Sequence, residues 1–263
     1  MKRGTVTVLG SATSMGVPTL GCDCQVCRSN DPRDRRTRPS AMIEWEGHRV
    51  VIDTGPDFRT QAVREGINRL DAVLYTHGHA DHILGLDDLR PLSFPRITGG
   101  SKVPLYATPE TARTLLSVFK YIFDDNYKYG HMAKVELHEI NGPFELLGLK
   151  VIPVPVLHGD DNQIIGYRIG RFAYLTDFSA LPESSIEMLG GIDLVFLDAL
   201  RHDPHPTHST VANSLKIAAR IGAAQTYFTH ICHELAHEAT NQTLPPGVRM
   251  AYDGLRVEID LES

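Results

Sequence analysis

The sequence predicts an α/β protein built as a four-layer αββα sandwich, with two sheets face to face and helices outside. Three observations predict it. Short β-branched runs recur along the chain, at residues 6–9, 41–45, 50–52, 72–75, 105–107, 151–156, 164–169, 172–175, 194–197 and 225–228. Helical periodicity marks 110–123, 184–189 and 209–221, with a shorter helix at 57–65. The early strands follow one another through short links such as Glu46-Gly47-His48, whereas the later ones alternate with helices.

No repeat, low-complexity tract or Ser/Gly linker divides the 263 residues, so 1–263 is expected to form one domain with a cysteine-rich insert at about 21–38. Hydrophobic residues make up 42% and charged residues 22%, ordinary for a globular protein. The net charge of −6 supplies no basic field for a long nucleic acid. No apolar run approaches the roughly 20 residues that span a bilayer, and the start lacks a signal-peptide pattern. The expectation is a cytoplasmic protein with no membrane partner. Of the four cysteines, Cys22, Cys24 and Cys27 cluster, and Cys232 lies between His230 and His233. In a reducing cytosol that clustering favours metal over disulfide.

Histidine is abundant, at 13 residues, and it collects where predicted strands end. Loops held at strand ends by a rigid sheet are where sites are built. After the strand at 72–75 comes Thr76-His77-Gly78-His79-Ala80-Asp81-His82, four ligand-type side chains separated only by glycine and alanine. Small spacers let the backbone turn without crowding an ion. Imidazole suits divalent transition metals, and a carboxylate adds a harder ligand. A solvated polar turn is the plain alternative, but the cluster offers more ligands than one structural ion needs.

This His-x-His-x-Asp-His run after a hydrophobic strand resembles the signature of the metallo-β-lactamase superfamily. The remaining superfamily positions occur in order at strand ends: His158, Asp177 and His230. The resemblance implies that His77, His79 and His158 hold one divalent metal, that Asp81, His82 and His230 hold another, and that Asp177 bridges them. Asp53, in Val51-Ile52-Asp53-Thr54-Gly55, matches the superfamily's early buried aspartate and would orient ligands rather than bind metal. Zinc, manganese or iron would serve, and a hydroxide shared by two cations implies hydrolysis.

Within the superfamily, Gly21-Cys22-Asp23-Cys24-Gln25-Val26-Cys27 resembles the insert of PhnP-type cyclic phosphodiesterases. That likeness implies a structural zinc held by Cys22, Cys24 and Cys27, completed by His233; Cys232, one residue earlier, would instead give an all-thiolate site. The stretch from Leu200 to Ser209 resembles the segment bearing that branch's non-ligand catalytic histidine, which falls at His208. His208 and the ligand Asp81 are thus the catalytic candidates. The stretch from Gly10 to Pro18 resembles the small-residue loop lining the family's site. Arg33, Arg35, Arg36 and Arg38 read as a solvated loop, or as phosphate-gathering groups if that loop folds over the site.

The implied substrate is a small anionic phosphodiester, such as 5-phosphoribosyl 1,2-cyclic phosphate or a 2′,3′-cyclic nucleotide, and the likeness also implies a homodimer. The alternatives within the superfamily are a thioester or lactone hydrolase, a tRNA-processing nuclease and a member of the coenzyme PQQ biosynthesis branch. A non-enzymatic metal-binding scaffold is a further reading, against which all seven ligand positions are intact.

Overall fold

A computed structural model describes residues 2–124, 126–127 and 130–262. Its strands are β1 (Arg3–Gly10), β2 (Ser40–Trp45), β3 (His48–Ile52), β4 (Ala72–Leu74), β5 (Val103–Ala107), β6 (Val135–Glu139), β7 (Phe144–Leu146), β8 (Leu149–Leu157), β9 (Gln163–Ile169), β10 (Phe172–Leu175), β11 (Leu194–Asp198), β12 (Gln225–Thr229), β13 (Val248–Met250) and β14 (Arg256–Asp260). They form two seven-stranded sheets, ordered β14-β1-β2-β3-β4-β5-β6 and β13-β12-β11-β10-β9-β8-β7. Each sheet begins antiparallel and turns parallel, from β3 to β6 in one and from β10 to β13 in the other.

Both faces of each sheet are covered, which is why the strands read as near-continuous apolar runs. In β3, Val50 and Ile52 point into the core between the sheets, with Tyr167, Phe172, Tyr174 and Phe196 opposite. Val51 points the other way, against a helix-covered layer that contains Phe58, Ala112 and Leu115. The second sheet is covered likewise, with Ala173, Leu175, Val195 and Leu197 against Val211, Ile217 and Ile221. Three apolar layers separate four structural ones, as a four-layer sandwich requires.

The helix Val211–Ile221 buries Val211, Ser214, Ile217, Ala218 and Ile221, one helical stripe, and Thr210 caps it by accepting the Asn213 N–H at 3.1 Å. It starts two residues later than the periodicity at 209–221 suggests, because Ser209 and Thr210 serve the entry turn. The helix expected at 110–123 is two, Pro109–Val118 and Lys120–Phe123, broken where Phe119 leaves helical geometry. Strands β6, β7, β13 and β14 have no counterpart in the sequence expectation.

Two glycines set how closely the site-bearing loops approach. The Thr54 N–H donates to the His82 carbonyl and the Gly85 N–H to the Thr54 carbonyl, each at 2.8 Å, so the turn after β3 is zipped to the loop after β4. A β-carbon on Gly55 would collide with the Asp81 carbonyl oxygen, which is backbone and cannot swing away. Gly55→Ala should therefore lower unfolding stability by about 3 kcal/mol, the upper part of the range for overpacking a closed interior. Urea denaturation checks this; an unchanged midpoint would mean that the two loops are not locked together.

Candidate active site

The sequence-predicted ligands come together at one edge of the sandwich, from the C-terminal ends of β4, β8, β10 and β12. His77, His79 and His158 form one group of donor atoms, and Asp81, His82, Asp177 and His230 form another, the atoms of each lying within 4.8 Å of one another. Asp177 also groups with His158 and His208, so its carboxylate lies between the two sets. All of these ligand candidates except the exposed His79 are buried.

Bringing them here requires sharp corners. Asp53, Asp177 and His230 have left-handed backbone, at φ 62°, 58° and 57°, each immediately or shortly after a strand. Each such non-glycine residue costs on the order of 1–3 kcal/mol and persists only where its surroundings dictate it.

The donor atoms converge without satisfying one another. His82 Nε2 lies 3.2 Å from Asp177 Oδ2 and 3.3 Å from Asp81 Oδ2, and His230 Nε2 lies 3.1 Å from Asp177 Oδ1. Nevertheless the buried Nε2 atoms of His77, His82 and His230 have no aligned hydrogen-bond partner among the described residues. Orphaned nitrogens facing carboxylate oxygens fit a divalent cation between them, since buried polar groups are otherwise satisfied. With protons in place of cations, burial opposes charge on His230 but Asp177, Asp81 and Asp198 overcome it, pushing the imidazole up to about 10. Burial likewise works to raise the Asp177 carboxyl, and His230 and His82 outweigh it, holding the group well below the usual carboxylate range.

A second layer of contacts aims these ligands. The fully buried Asp53 accepts the Thr76 N–H at 2.8 Å and the Thr76 hydroxyl at 2.7 Å, and faces His82 Nδ1 at 2.7 Å. That contact leaves His82 Nε2 toward Asp81 and Asp177. His158 Nδ1 donates to the Thr207 carbonyl at 3.0 Å, which does the same for its ring. His208 Nδ1 meets Asp198 Oδ2 at 2.8 Å, and its ring stands 4.5 Å from His230 and 5.0 Å from His158, centroid to centroid. Asp198, fully buried at the end of β11, is a site residue that sequence reasoning misses. An acidic residue closing an apolar strand is the available signal, the same one that marks Asp177.

The cysteine insert places its thiols beside His233 rather than Cys232. Cys22, Cys24, Cys27 and His233 form one donor group, with Cys22 Sγ and Cys24 Sγ each 3.3 Å from His233 Nδ1. The Cys27 N–H donated to Cys24, with His233 beside it, draws that thiol down to about 6. Cys232 is outside the group: its thiol accepts the Glu234 N–H at 3.3 Å, and burial pushes it up to about 11.

The arginine run is not wholly solvated. Arg36 is buried, donating to Asp34 at 2.7 Å and to the carbonyls of Cys232 and Leu235 at 3.2 and 2.8 Å. Arg33 pairs with Asp31 and Glu238, and Arg38 with Asp57. A cavity of about 590 Å³ lies beside Arg3, Trp45 and Arg49, and none of the candidate ligands lines it.

The sequence matches the family described as a beta-lactamase superfamily domain over residues 48–231. The chain belongs to that superfamily. Its two sheets are accordingly the metallo-β-lactamase fold. A crystal structure described as a new diphosphatase from the PhnP family is 61% identical, covers 99% of each chain and superposes with a TM-score of 0.94. A Porphyromonas gingivalis protein named octanoyltransferase is 39% identical over 96% of this chain, but the chain spans about half the length of that relative, 51%. Coenzyme PQQ synthesis protein B of Methylorubrum populi is 36% identical over 73% of this superfamily member and 72% of its own length. Among the described residues no helix is long and apolar enough to cross a membrane.

Asp53→Asn keeps a residue tolerant of left-handed backbone but replaces one acceptor oxygen with a donor facing His82. Divalent-cation affinity should fall by about 10–100-fold. Titration against a chromogenic chelator checks this, and unaltered affinity would remove Asp53 from the ligand-orienting role.

Proposed function

We propose that this chain is a metal-dependent phosphodiesterase that hydrolyses small phosphodiesters, particularly cyclic ones such as 5-phosphoribosyl 1,2-cyclic phosphate or 2′,3′-cyclic nucleotides. One observation carries the reading: two donor sets joined at Asp177, with the non-ligand His208 against both, in a chain 61% identical to a PhnP-family diphosphatase. We treat 1–263 as one hydrolase domain with a zinc-holding insert, acting in the cytoplasm and pairing as a homodimer.

His77, His79 and His158 would hold one divalent cation and Asp81, His82 and His230 the other, with Asp177 shared; zinc, manganese and iron all suit this donor set. Two cations held there would ready a water for attack and neutralise charge developing on the phosphoryl oxygens. The chain's own contribution is orientation and proton handling. Asp53 and the Thr207 carbonyl fix the ligand rings. Asp198 accepts from His208 Nδ1 and orients the ring, leaving Nε2 to protonate the leaving alkoxide or to steady a phosphoryl oxygen. Cys22, Cys24, Cys27 and His233 would close around a separate structural zinc.

The test is to count metals and compare turnover of bis-p-nitrophenyl phosphate, a 2′,3′-cyclic nucleotide, a lactone and a thioester. Phosphodiester turnover is expected; turnover of the thioester alone overturns the substrate class. Cys22→Ser should remove one metal of three while the active-site pair stays. His208→Ala should lower kcat by about 10²–10⁴-fold with metal content unchanged, and lost metal would instead make His208 a ligand.

A further inference from the structure

Beside the first donor set lies a small cavity of about 110 Å³ that the hydrolytic groups leave open. His77, Gly78 and His79 form its floor, the start of the helix Pro109–Val118 one wall, and the segment from Asn162 to Ile164 the other. Helix and floor are in direct contact: a β-carbon on Gly78 would stand 2.9 Å from the Thr114 hydroxyl oxygen. The opposite wall is equally tied to the ligands, because the His158 N–H donates to the Asn162 carbonyl at 2.8 Å. A group entering this space therefore sits against the candidate metal ligands.

The lining selects what can enter. Thr108 and Thr111 satisfy each other at 3.1 Å, and Thr114 donates to the Glu110 carbonyl at 3.3 Å. Among the described residues no protein group engages the side chains of Glu110, Asn162 or Gln163, which leaves a carboxylate and two amides available to a ligand. An anionic carboxylate repels phosphate, so the phosphoryl group belongs to the ligand clusters and the cavity takes an uncharged part of the substrate. Ile164 is the one large apolar side chain in the lining, so an acyl chain finds little apolar surface. Whole ligands need about 300–1,000 Å³, so this space holds a fragment rather than a nucleotide.

The geometry points to a hydroxyl-recognising subsite, in which Glu110 and Asn162 bind the hydroxyls of a sugar or polyol esterified to the phosphate. This rests on the phosphodiesterase reading and deepens it by assigning the side chains that would select hydroxylated alkyl esters over plain alkyl, aryl or acyl compounds. A carboxylate accepts from hydroxyls in charge-assisted bonds, and a site built to bind them discriminates against analogues that lack them.

The experiment compares metal-loaded protein on 2,3-dihydroxypropyl p-nitrophenyl phosphate and propyl p-nitrophenyl phosphate, which differ only in hydroxyls. The kcat/KM ratio should favour the dihydroxypropyl ester by about ten-fold or more, fall to about one in Glu110→Ala and in Asn162→Ala, and be partly restored in Glu110→Gln. Using a ratio cancels any general loss of turnover in a variant. Calorimetric titration with glycerol 3-phosphate and propyl phosphate should show the same order of affinity. A wild-type ratio near one, or an undiminished ratio in both alanine variants, overturns the subsite while phosphodiesterase activity stands. No turnover of either ester by the loaded wild type overturns the function on which the subsite rests.

Discussion

The crowding of Asp81, His82, Asp177 and His230 into one buried space is the constraint that the surrounding structure answers to. Isolated buried charges are costly, and this group is balanced only by protons or by cations. Left-handed corners at Asp53, Asp177 and His230 add on the order of 1–3 kcal/mol each, set against a total stability of about 5–15 kcal/mol for a typical domain. The strands hydrogen-bonded on both sides of β3, β10 and β12 resist relaxation of those corners. Cation binding, worth on the order of 10 kcal/mol for a closed zinc site, is the largest compensating contribution available.

The insert meets the same demand from the other side. Two independent ties join it to the segment carrying His230: the thiol group around His233, and the buried Arg36–Asp34 pair that holds the Cys232 and Leu235 carbonyls and the His237 N–H. Breaking a buried pair by removing one member costs about 3–5 kcal/mol. The second tie is thus comparable with an ordinary core contact and operates without any ion. A left-handed ligand residue at the end of a strand takes its position from the loop beyond it. Here the insert adds two ties to the backbone bonds that already hold the loop from Ile231 to His237 to Ser11, Thr13 and Leu200.

Much of this is legible in the residues. His77, His79, Asp81 and His82 announce themselves by density, and His158, Asp177 and His230 by falling at the ends of apolar strands. The strands themselves are visible because burial on both faces gives unbroken apolar runs, as in β10 and β11. The edge strands are not: β7 and β13 are three residues each, and β6 and β14 alternate with exposed polar residues that read equally well as loop. Asp198 escapes notice because no superfamily position points to it. Arg36 is easily misread because charge in a polar loop suggests solvent, and only the fold brings the Cys232 and Leu235 carbonyls to it. The choice between Cys232 and His233 depends on side-chain direction, which spacing does not encode.

The sheet order has a consequence for how such a chain matures. Each of the three donor groups joins residues from early and late parts of the sequence: His77 and His79 with His158; Asp81 and His82 with Asp177 and His230; Cys22, Cys24 and Cys27 with His233. During synthesis on the ribosome, the first half therefore emerges with every set unfinished. The first set is complete once His158 follows β8, and the other two only once His230 and His233 follow β12. A cation held by any of these sets would staple an early part of the chain to a late one.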